Sequence, residues 1–550
     1  MPAVIGLDFG TESVRALLLD AARGEVIGAA ARGYADGVID RTLPDSGDPL
    51  PPEWALQNPG DWLLSMTDAV SALLSDTGYP PDEVVGLGVD FTSSTILPVT
   101  ESGRPLCAAP AWKSNPHAWP KLWKHHAAQP QADRINRVAS DAGESWLPRY
   151  GGRISSEWLL PKALEILENA PDVYESADLI IEGGDWIVWQ LTGVLVRNSC
   201  AAGYKALWHD GEGYPGERFL SSLDPRLSDL YTRRLAGPIL PPGHRAGPLL
   251  PEWRRRMGLS RDVMVASPII DAHAAAIGGG SSVAGDLFMI MGTSTCHMLL
   301  GETEQPVPGI AGVVRDGIIA GLFGYEAGQA ASGDSLAWFV DNCTPGSYSR
   351  EAARLGASVH QYLSELASEL RPGGAGLLAL DWLNGNRSTL VDAELSGLIL
   401  GITLGTRPEA IYRALIESTA FGTRVIIDAF ENAGLPIANI RAGGTLAGNH
   451  VAAQIYADAL GREILVVDSP EVSARGAAIL GAAAAGLFDS VSAAAAALGT
   501  RIARTFVPRS QAHDAYQSLF LEYAELYDYF GRGPNPVMKT LRRLMRPPDQ

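Results

Sequence analysis

Cysteine is scarce. Four thiols (Cys107, Cys200, Cys296, Cys343) in 550 residues, none at metal-ligand spacing, exclude a disulfide framework and suit a reducing compartment. Positive charge is also in short supply: 43 Lys and Arg face 62 Asp and Glu, for a net charge of −19. A basic face for nucleic acid is thereby excluded. No apolar run reaches the roughly 18 residues that a membrane helix needs. The opening stretch, Met1 to Asp20, lacks the basic and long apolar regions of a secretion signal. In that setting Asn386-Arg387-Ser388 is an incidental match to a glycosylation acceptor. The expectation is a cytoplasmic protein that binds neither nucleic acid nor membrane. There is also no G-x-x-x-x-G-K-[ST] loop, no G-x-S-x-G elbow and no H-R-D loop, which removes the P-loop, α/β-hydrolase and protein-kinase routes.

What is present is a long, apolar chain. At about 150 residues per domain it predicts two to four units, and 46% hydrophobic residues suffice to bury sizeable cores. Ala3–Asp8 and Val14–Leu19 are apolar runs joined by a short Gly-containing turn, Phe9 to Glu12, which predicts a β-hairpin. About half the chain later the pattern returns, with Asp286–Met291, the turn Gly292-Thr293-Ser294-Thr295, and Cys296–Leu300. One such hairpin per half suggests two similar lobes.

Between the hairpins, helix and strand signals alternate. Asp61–Leu74, Glu157–Leu167, Glu409–Phe430, His450–Leu460 and Ala474–Ala485 have helical periodicity. Val84–Val89, Leu377–Leu380, Leu398–Ile402 and Ile437–Ala442 read as strands, and Val263–Ile270 as a strand interrupted by Pro268. This alternation predicts α/β layers. Gly278-Gly279-Gly280 stops the helix begun at Ala272 and is the best lobe boundary, dividing the chain into residues 1–280 and 281–550. The aromatic helix Ala512–Tyr529 reads as a C-terminal appendage, and Lys539, Arg542, Arg543 and Arg546 as a solvated tail.

Several residues could carry chemistry. In Asp8-Phe9-Gly10-Thr11, Gly10 lets backbone approach a ligand, successive turn N–H groups make an anion nest, and the Thr11 hydroxyl can donate to a phosphate. Asp8, at a strand end, can hold a hydrated Mg²⁺. Gly292, Thr293 and Thr295 offer the same chemistry from the other half, and two such turns could clamp one polyphosphate. Asp271 follows an apolar strand and precedes a helix, so it is either a general base at a strand's carboxyl end or a helix N-cap. Gly443-Gly444 after a strand could lie against a flat adenine or could simply form a turn. The His117, His125 and His126 cluster has no carboxylate or Cys to complete a metal-ligand set.

Taken together, these motifs make the chain resemble the actin-like sugar kinases, and more narrowly the FGGY carbohydrate kinases, from the first strand to about residue 490. The stretches that carry the likeness are GLDFGTESVRALLLD, GVDFTSSTILPV, PHAWPKLWKHHAAQ, RYGGRISSEW, CAAGYKALW, DAHAAAIGGG, MGTSTCHMLL, GYEAGQAASGDSLAWF and DWLNGNRS. They are nearest to the branch that phosphorylates L-ribulose. The resemblance implies two ribonuclease-H-like lobes with an active-site cleft between them, and ATP-dependent phosphorylation of the 5-hydroxyl of a ketopentose. Another pentulose or a pentitol is the alternative substrate, and a non-enzymatic nucleotide switch the rival from another class. It also implies roles residue by residue. Asp271 is the catalytic base, and Asp8, Gly10, Thr11, Gly292, Thr293, Thr295, Gly443 and Gly444 bind ATP. Ser93, Lys205, Asp271 and Glu326 contact the sugar, while Asp8 and Asp271 hold Mg²⁺, partly through water. A homodimer is the assembly expected of such kinases. On their own chemistry, Ser93 could equally be a turn residue, Lys205 a surface cation and Glu326 an ion-pair partner. One departure stands out. Many relatives acting on other sugars carry Trp-x-Asp-x-Arg where this chain has Trp123-Lys124-His125-His126-Ala127, so the contacts of that acid and arginine do not carry over.

Overall fold

The computed structural model describes residues 1–44, 46–468 and 471–545. Each predicted hairpin sits at the centre of a seven-stranded sheet. In the first sheet the hairpin Ala3–Phe9/Ser13–Asp20 is extended on one side by Val26–Gly33, which pairs antiparallel with its second arm. On the other side Val84–Phe91 runs parallel to Ala3–Phe9, and both Met264–Ala266 and Ile269–Ile270 run parallel to Val84–Phe91. Pro268 splits these last two strands, because a residue without an N–H interrupts the ladder.

The second sheet is arranged alike. Asp286–Met291 and Thr295–Gly301 form its hairpin, Phe323–Gln329 extends it antiparallel, and Asn439–Gly443 and Ile464–Val467 continue it in parallel. This is the α/β architecture with the two similar lobes that the repeated hairpin suggests and the ribonuclease-H-like topology that the resemblance implies. Leu378–Leu380 and Leu398–Leu400 are strands, as their pattern requires, but they pair only with each other.

The helices follow their sequence signals closely. The first runs Pro59–Thr77, with the Asn58 side chain accepting from Gly60 N–H at its start and Gly78 left-handed at its end. Helix Asp271–Gly278 starts where the strand Ile269–Ile270 stops. Helix Val472–Ala484, from the second half of the chain, lies on the first sheet. A Cβ on Gly6 would stand 1.8 Å from the Ala474 carbonyl oxygen, and one on Gly88 1.8 Å from that of Ala477. The same helix crosses Asp271–Gly278 at Gly476 and Gly278, where a Cβ would meet opposing backbone oxygen at 1.9 Å. One apolar cluster accordingly draws Val4, Leu17 and Leu19 together with Phe288, Met298, Ala478 and Leu480. The lobes share a core.

The C-terminal segment is more integrated than an appendage. Ile502–Phe506 forms the edge of the second sheet, and Tyr516, Tyr523 and Tyr527 of helix Ser510–Gly531 are buried in that lobe's core. In the basic tail Lys539 is paired with Asp392 at 2.5 Å, while Arg546 lies outside the described residues. No described helix is long and apolar enough to cross a membrane.

Candidate active site

Parallel pairing delivers three carboxylates to one end of the first sheet. Asp8 and Asp90 are register partners on adjacent strands, and Ile269–Ile270, paired with Asp90 and Phe91, leads directly into Asp271. The carboxyl ends of strands are where α/β sheets bind ligands. Asp90 is fully buried, and among the described residues neither of its oxygens has a hydrogen-bond partner. Burial first, then the charges of Asp8 and Asp271, push its carboxyl well above the usual range. Asp8 is raised by burial too, against the opposing effects of Asp90 and Arg15; the Arg15 guanidinium lies 3.5 Å away across the hairpin.

Asp271 is half-buried. Its Oδ1 accepts from the Ala272 N–H at 2.7 Å. Burial and the Asp8 charge push the carboxyl up to about 7, against the Ala272 bond and the Lys205 charge. A carboxylate near 7 has the proton affinity of a general base.

The hairpin tips differ. At the first, Gly10 N–H donates to the Ser13 carbonyl, while Gln57 donates to the Thr11 carbonyl and the Trp123 indole to the Thr11 hydroxyl oxygen at 3.0 Å. The Thr11 O–H is left to donate. At the second, Thr293 is exposed, whereas Thr295 is sealed inside and its hydroxyl donates to Ser332 at 2.8 Å. Thr295, which the sequence reading gives to the nucleotide, therefore braces the turn from inside. The Gly292 and Thr293 carbonyls accept N–H groups of Ser332, Gly333 and Asp334, which dock the helix Gly333–Cys343 on this tip. Of the glycine pair, Gly443 packs inward, where a Cβ would press on Phe288 and Val467 at 3.2 Å. Only Gly444, at φ 96°, is exposed at the strand end. Gly443 is a packing glycine.

The predicted sugar ligands Lys205 and Glu326 are both buried and bound to each other across the lobes. Lys205 Nζ donates to both carboxylate oxygens, at 2.8 and 3.1 Å. Arg387 adds a bond to Glu326 Oε1 at 2.9 Å, and His273 Nε2 lies 3.6 Å from Oε2. Burial alone would raise this carboxyl, but Lys205, His273 and Arg387 outweigh it and hold Glu326 at about 2. The Cys296 thiol lies 4.0 Å from Arg387. Ser93 is half-buried in the turn three residues past Asp90. Asp90, Trp123, His273, Cys296 and Arg387 join the site without having been singled out in the sequence.

His125, from the histidine cluster, is committed to structure. It contacts Glu165 at 3.0 Å, and Lys121 bonds the same carboxylate at 3.1 Å, all three buried. Among the described residues no three His, Cys, Asp or Glu side chains form a metal cage. A divalent ion here would take two carboxylates and complete its shell with water and phosphate, as Mg²⁺ ordinarily does. Asp8, raised by burial, and Asp271, raised by burial and by the Asp8 charge, fit such an ion. A cavity of about 520 Å³ lies beside the second tip, lined by Asp334, Ser335, Trp338 and Asn384 among others. It contains none of the sequence-predicted side chains, and the chemistry is placed at the carboxylates instead.

Residues 3–278 match the N-terminal domain of the FGGY family of carbohydrate kinases, and residues 287–485 its C-terminal domain. The chain is 52% identical to the ribulokinase of Halalkalibacterium halodurans over 98% of its own length and 97% of that protein. It is 47% identical to the ribulokinase of Mycolicibacterium smegmatis over 98% and 96%. Among solved structures, a kinase from Brucella ovis superposes with a TM-score of 0.79 at 21% identity, over 98% of this chain and all of that one. The xylulose kinase of Rhodospirillum rubrum gives 0.76 at 22%, over 96% and 98%. At those identities the likeness concerns the fold.

Proposed function

Since the chain belongs to the FGGY family of carbohydrate kinases, we propose that it transfers the terminal phosphoryl group of ATP to the 5-hydroxyl of L-ribulose, giving L-ribulose 5-phosphate and ADP. The observation that carries this reading is Asp271 at a strand end, raised to about 7, beside a buried Lys205–Glu326 pair. Asp271 Oδ1 is occupied by Ala272 N–H, leaving Oδ2 to accept the hydroxyl proton. Lys205 and Glu326 present a donor and an acceptor to the remaining hydroxyls, and Ser93 and Trp123 form the facing wall. Curated relatives at 47–52% identity over nearly the whole chain, named ribulokinases, support the choice of sugar.

The first half, residues 1–280, supplies the sugar site and the base, and the second, 281–550, most of the nucleotide site. Thr11, Gly10, Gly292, Thr293 and Gly444 are the groups for the nucleotide, with Asp8 and Asp271 for Mg²⁺. When bound, that ion neutralises charge on the phosphates. Closure of the lobes excludes water, which otherwise competes as the acceptor. The same reading makes the protein a cytoplasmic homodimer. Its four cysteines are unpaired, and Trp338, Leu400, Ile402 and Leu404 expose apolar surface on the second lobe.

ADP release measured across L-ribulose, D-ribulose, xylulose and ribitol tests the assignment. L-ribulose should give the highest kcat/KM and a 5-phosphate product. A clear preference for another member of the panel would reassign the substrate, and a rate indifferent to all of them would point to a nucleotide switch.

A further inference from the structure

Lys162 has no exposure to solvent, and the chemistry above does not use it. It lies in the first turn of the helix Leu159–Asn169. Its ammonium donates to three main-chain carbonyls, those of Ser94 at 2.7 Å, Leu122 at 2.8 Å and Lys121 at 3.5 Å. An ammonium has three N–H groups, so this tripod uses its whole donor capacity in a place where an unbonded charge is costly.

The three acceptors belong to two separate stretches. One is the turn after the strand Val84–Phe91, which carries Ser93. The other is the run that ends on Trp123. They also meet through Ile96 and Lys121, which exchange N–H···O bonds of 3.2 and 2.8 Å. Within the turn, Ser94 sits at φ 49°, a left-handed conformation that non-glycine residues avoid and that concentrates at functional sites. Its own hydroxyl is buried without a protein partner, so the side chain does not account for the conformation. The Ser94 carbonyl makes the shortest of the three bonds to Lys162. Each stretch carries a residue of the candidate site: Ser93, half-buried three residues past Asp90, and Trp123, whose indole donates to the Thr11 hydroxyl.

We propose that Lys162 is a positioning residue for the sugar: by gripping the carbonyls of Ser94 and Leu122 it sets the spacing between Ser93 and Trp123, and with it the shape of the wall against which the pentulose packs. This rests on the reading that the wall faces the sugar.

Steady-state kinetics of Lys162→Met on L-ribulose and ATP, with melting temperature and sugar-free ATP hydrolysis recorded alongside, test it. The sugar KM should rise at least tenfold while the ATP KM stays within twofold and sugar-free hydrolysis is unchanged. A fall in melting temperature with neither KM moved, or with both raised together, overturns the proposal, since that is what loss of packing alone produces. Trp123→Ala separates the two levels. If it leaves the sugar KM unchanged, the wall is not a sugar wall and the underlying reading fails; if it raises that KM while Lys162→Met does not, the clamp alone fails. Lys162→Gln, which keeps two N–H donors, should fall between parent and Lys162→Met. Should Lys162→Met yield no soluble protein, the ratio of sugar to ATP KM in Lys162→Gln decides by the same criterion.

Discussion

Burial and the Asp8 charge push the Asp271 carboxyl up to about 7, and two consequences follow at the scale of the residue. As a base it acts only when ionised, so kcat/KM should climb with pH through about 7 and level off above it. Its stability effect has the opposite sense. An aspartate carried from about 3.9 in the unfolded chain to about 7 in the folded one takes up a proton on folding between those values. Its cost is absent below pH 4 and full above pH 7. Asp271→Asn should therefore melt higher than the parent at pH 8, and the gain should vanish near pH 4; a lower melting point at pH 8 would contradict the assigned environment. Glu326 is the mirror case, held at about 2 by Lys205, His273 and Arg387 against burial. Glu326→Gln removes the common partner of two cations, and the sugar KM should rise about tenfold or more, the scale of a lost charge-assisted bond. Turn chemistry and strand ends alone drew attention to Asp8, Asp271, Thr11 and Thr293, and the sheet sets Asp8 and Asp271 at the same end. The pairing of Lys205 with Glu326 was not legible, because 121 residues of chain separate them and nothing local marks a partner. Asp90 was missed for a related reason: its strand was evident, but only sheet order sets it beside Asp8.

At the scale of elements, hairpins and helices followed their periodicity, since binary pattern and caps are local properties. What each helix covers is not local. Val472–Ala484 reads as an Ala- and Gly-rich helix, yet nothing in that stretch says that it lies on the first sheet. The glycines record the fact only once the elements are placed: Gly6, Gly86 and Gly88 on the strands, Gly476 and Gly481 on the helix, each with no room for a methyl group. Gly88→Ala would put a Cβ 1.8 Å from the Ala477 carbonyl oxygen, so the helix must move. Overpacking of this kind costs about 1–3 kcal/mol or more. Thermal unfolding should show a drop of about 2–5 °C for a lobe of this size, with sugar and nucleotide KM altered together because the helix joins both lobes. A Gly88→Ala protein as stable as the parent would mean that the helix does not seat there. Thr295 and Gly443 teach the converse lesson. Both lie within recognisable motifs, and both turn inward, because a motif specifies a backbone path and not which of its side chains faces the cleft.

For the whole molecule, the repeated hairpin was enough to anticipate two lobes of one topology. The bridges between them were not readable, because they depend on the docking of the halves: the buried Lys205–Glu326 pair, Arg149 with Glu304 at 3.1 Å, and the Ser199 hydroxyl on the Asp316 carbonyl. These tie the lobes together on the side of Lys205 and Glu326, so the closure in the proposed reading would be a rotation about the helices crossed at Gly278 and Gly476. Small-angle scattering should show a smaller radius of gyration with L-ribulose and a non-hydrolysable ATP analogue together than with neither, and an unchanged radius would argue against a mobile cleft. The central claim is that Asp271 takes the proton of a sugar hydroxyl while the lobes hold donor and acceptor together. Its most direct test is the turnover of Asp271→Asn on L-ribulose at pH 8, set beside its dissociation constant for the sugar. The account predicts a kcat at least about a hundredfold below the parent with sugar affinity nearly intact; near-normal turnover would contradict it.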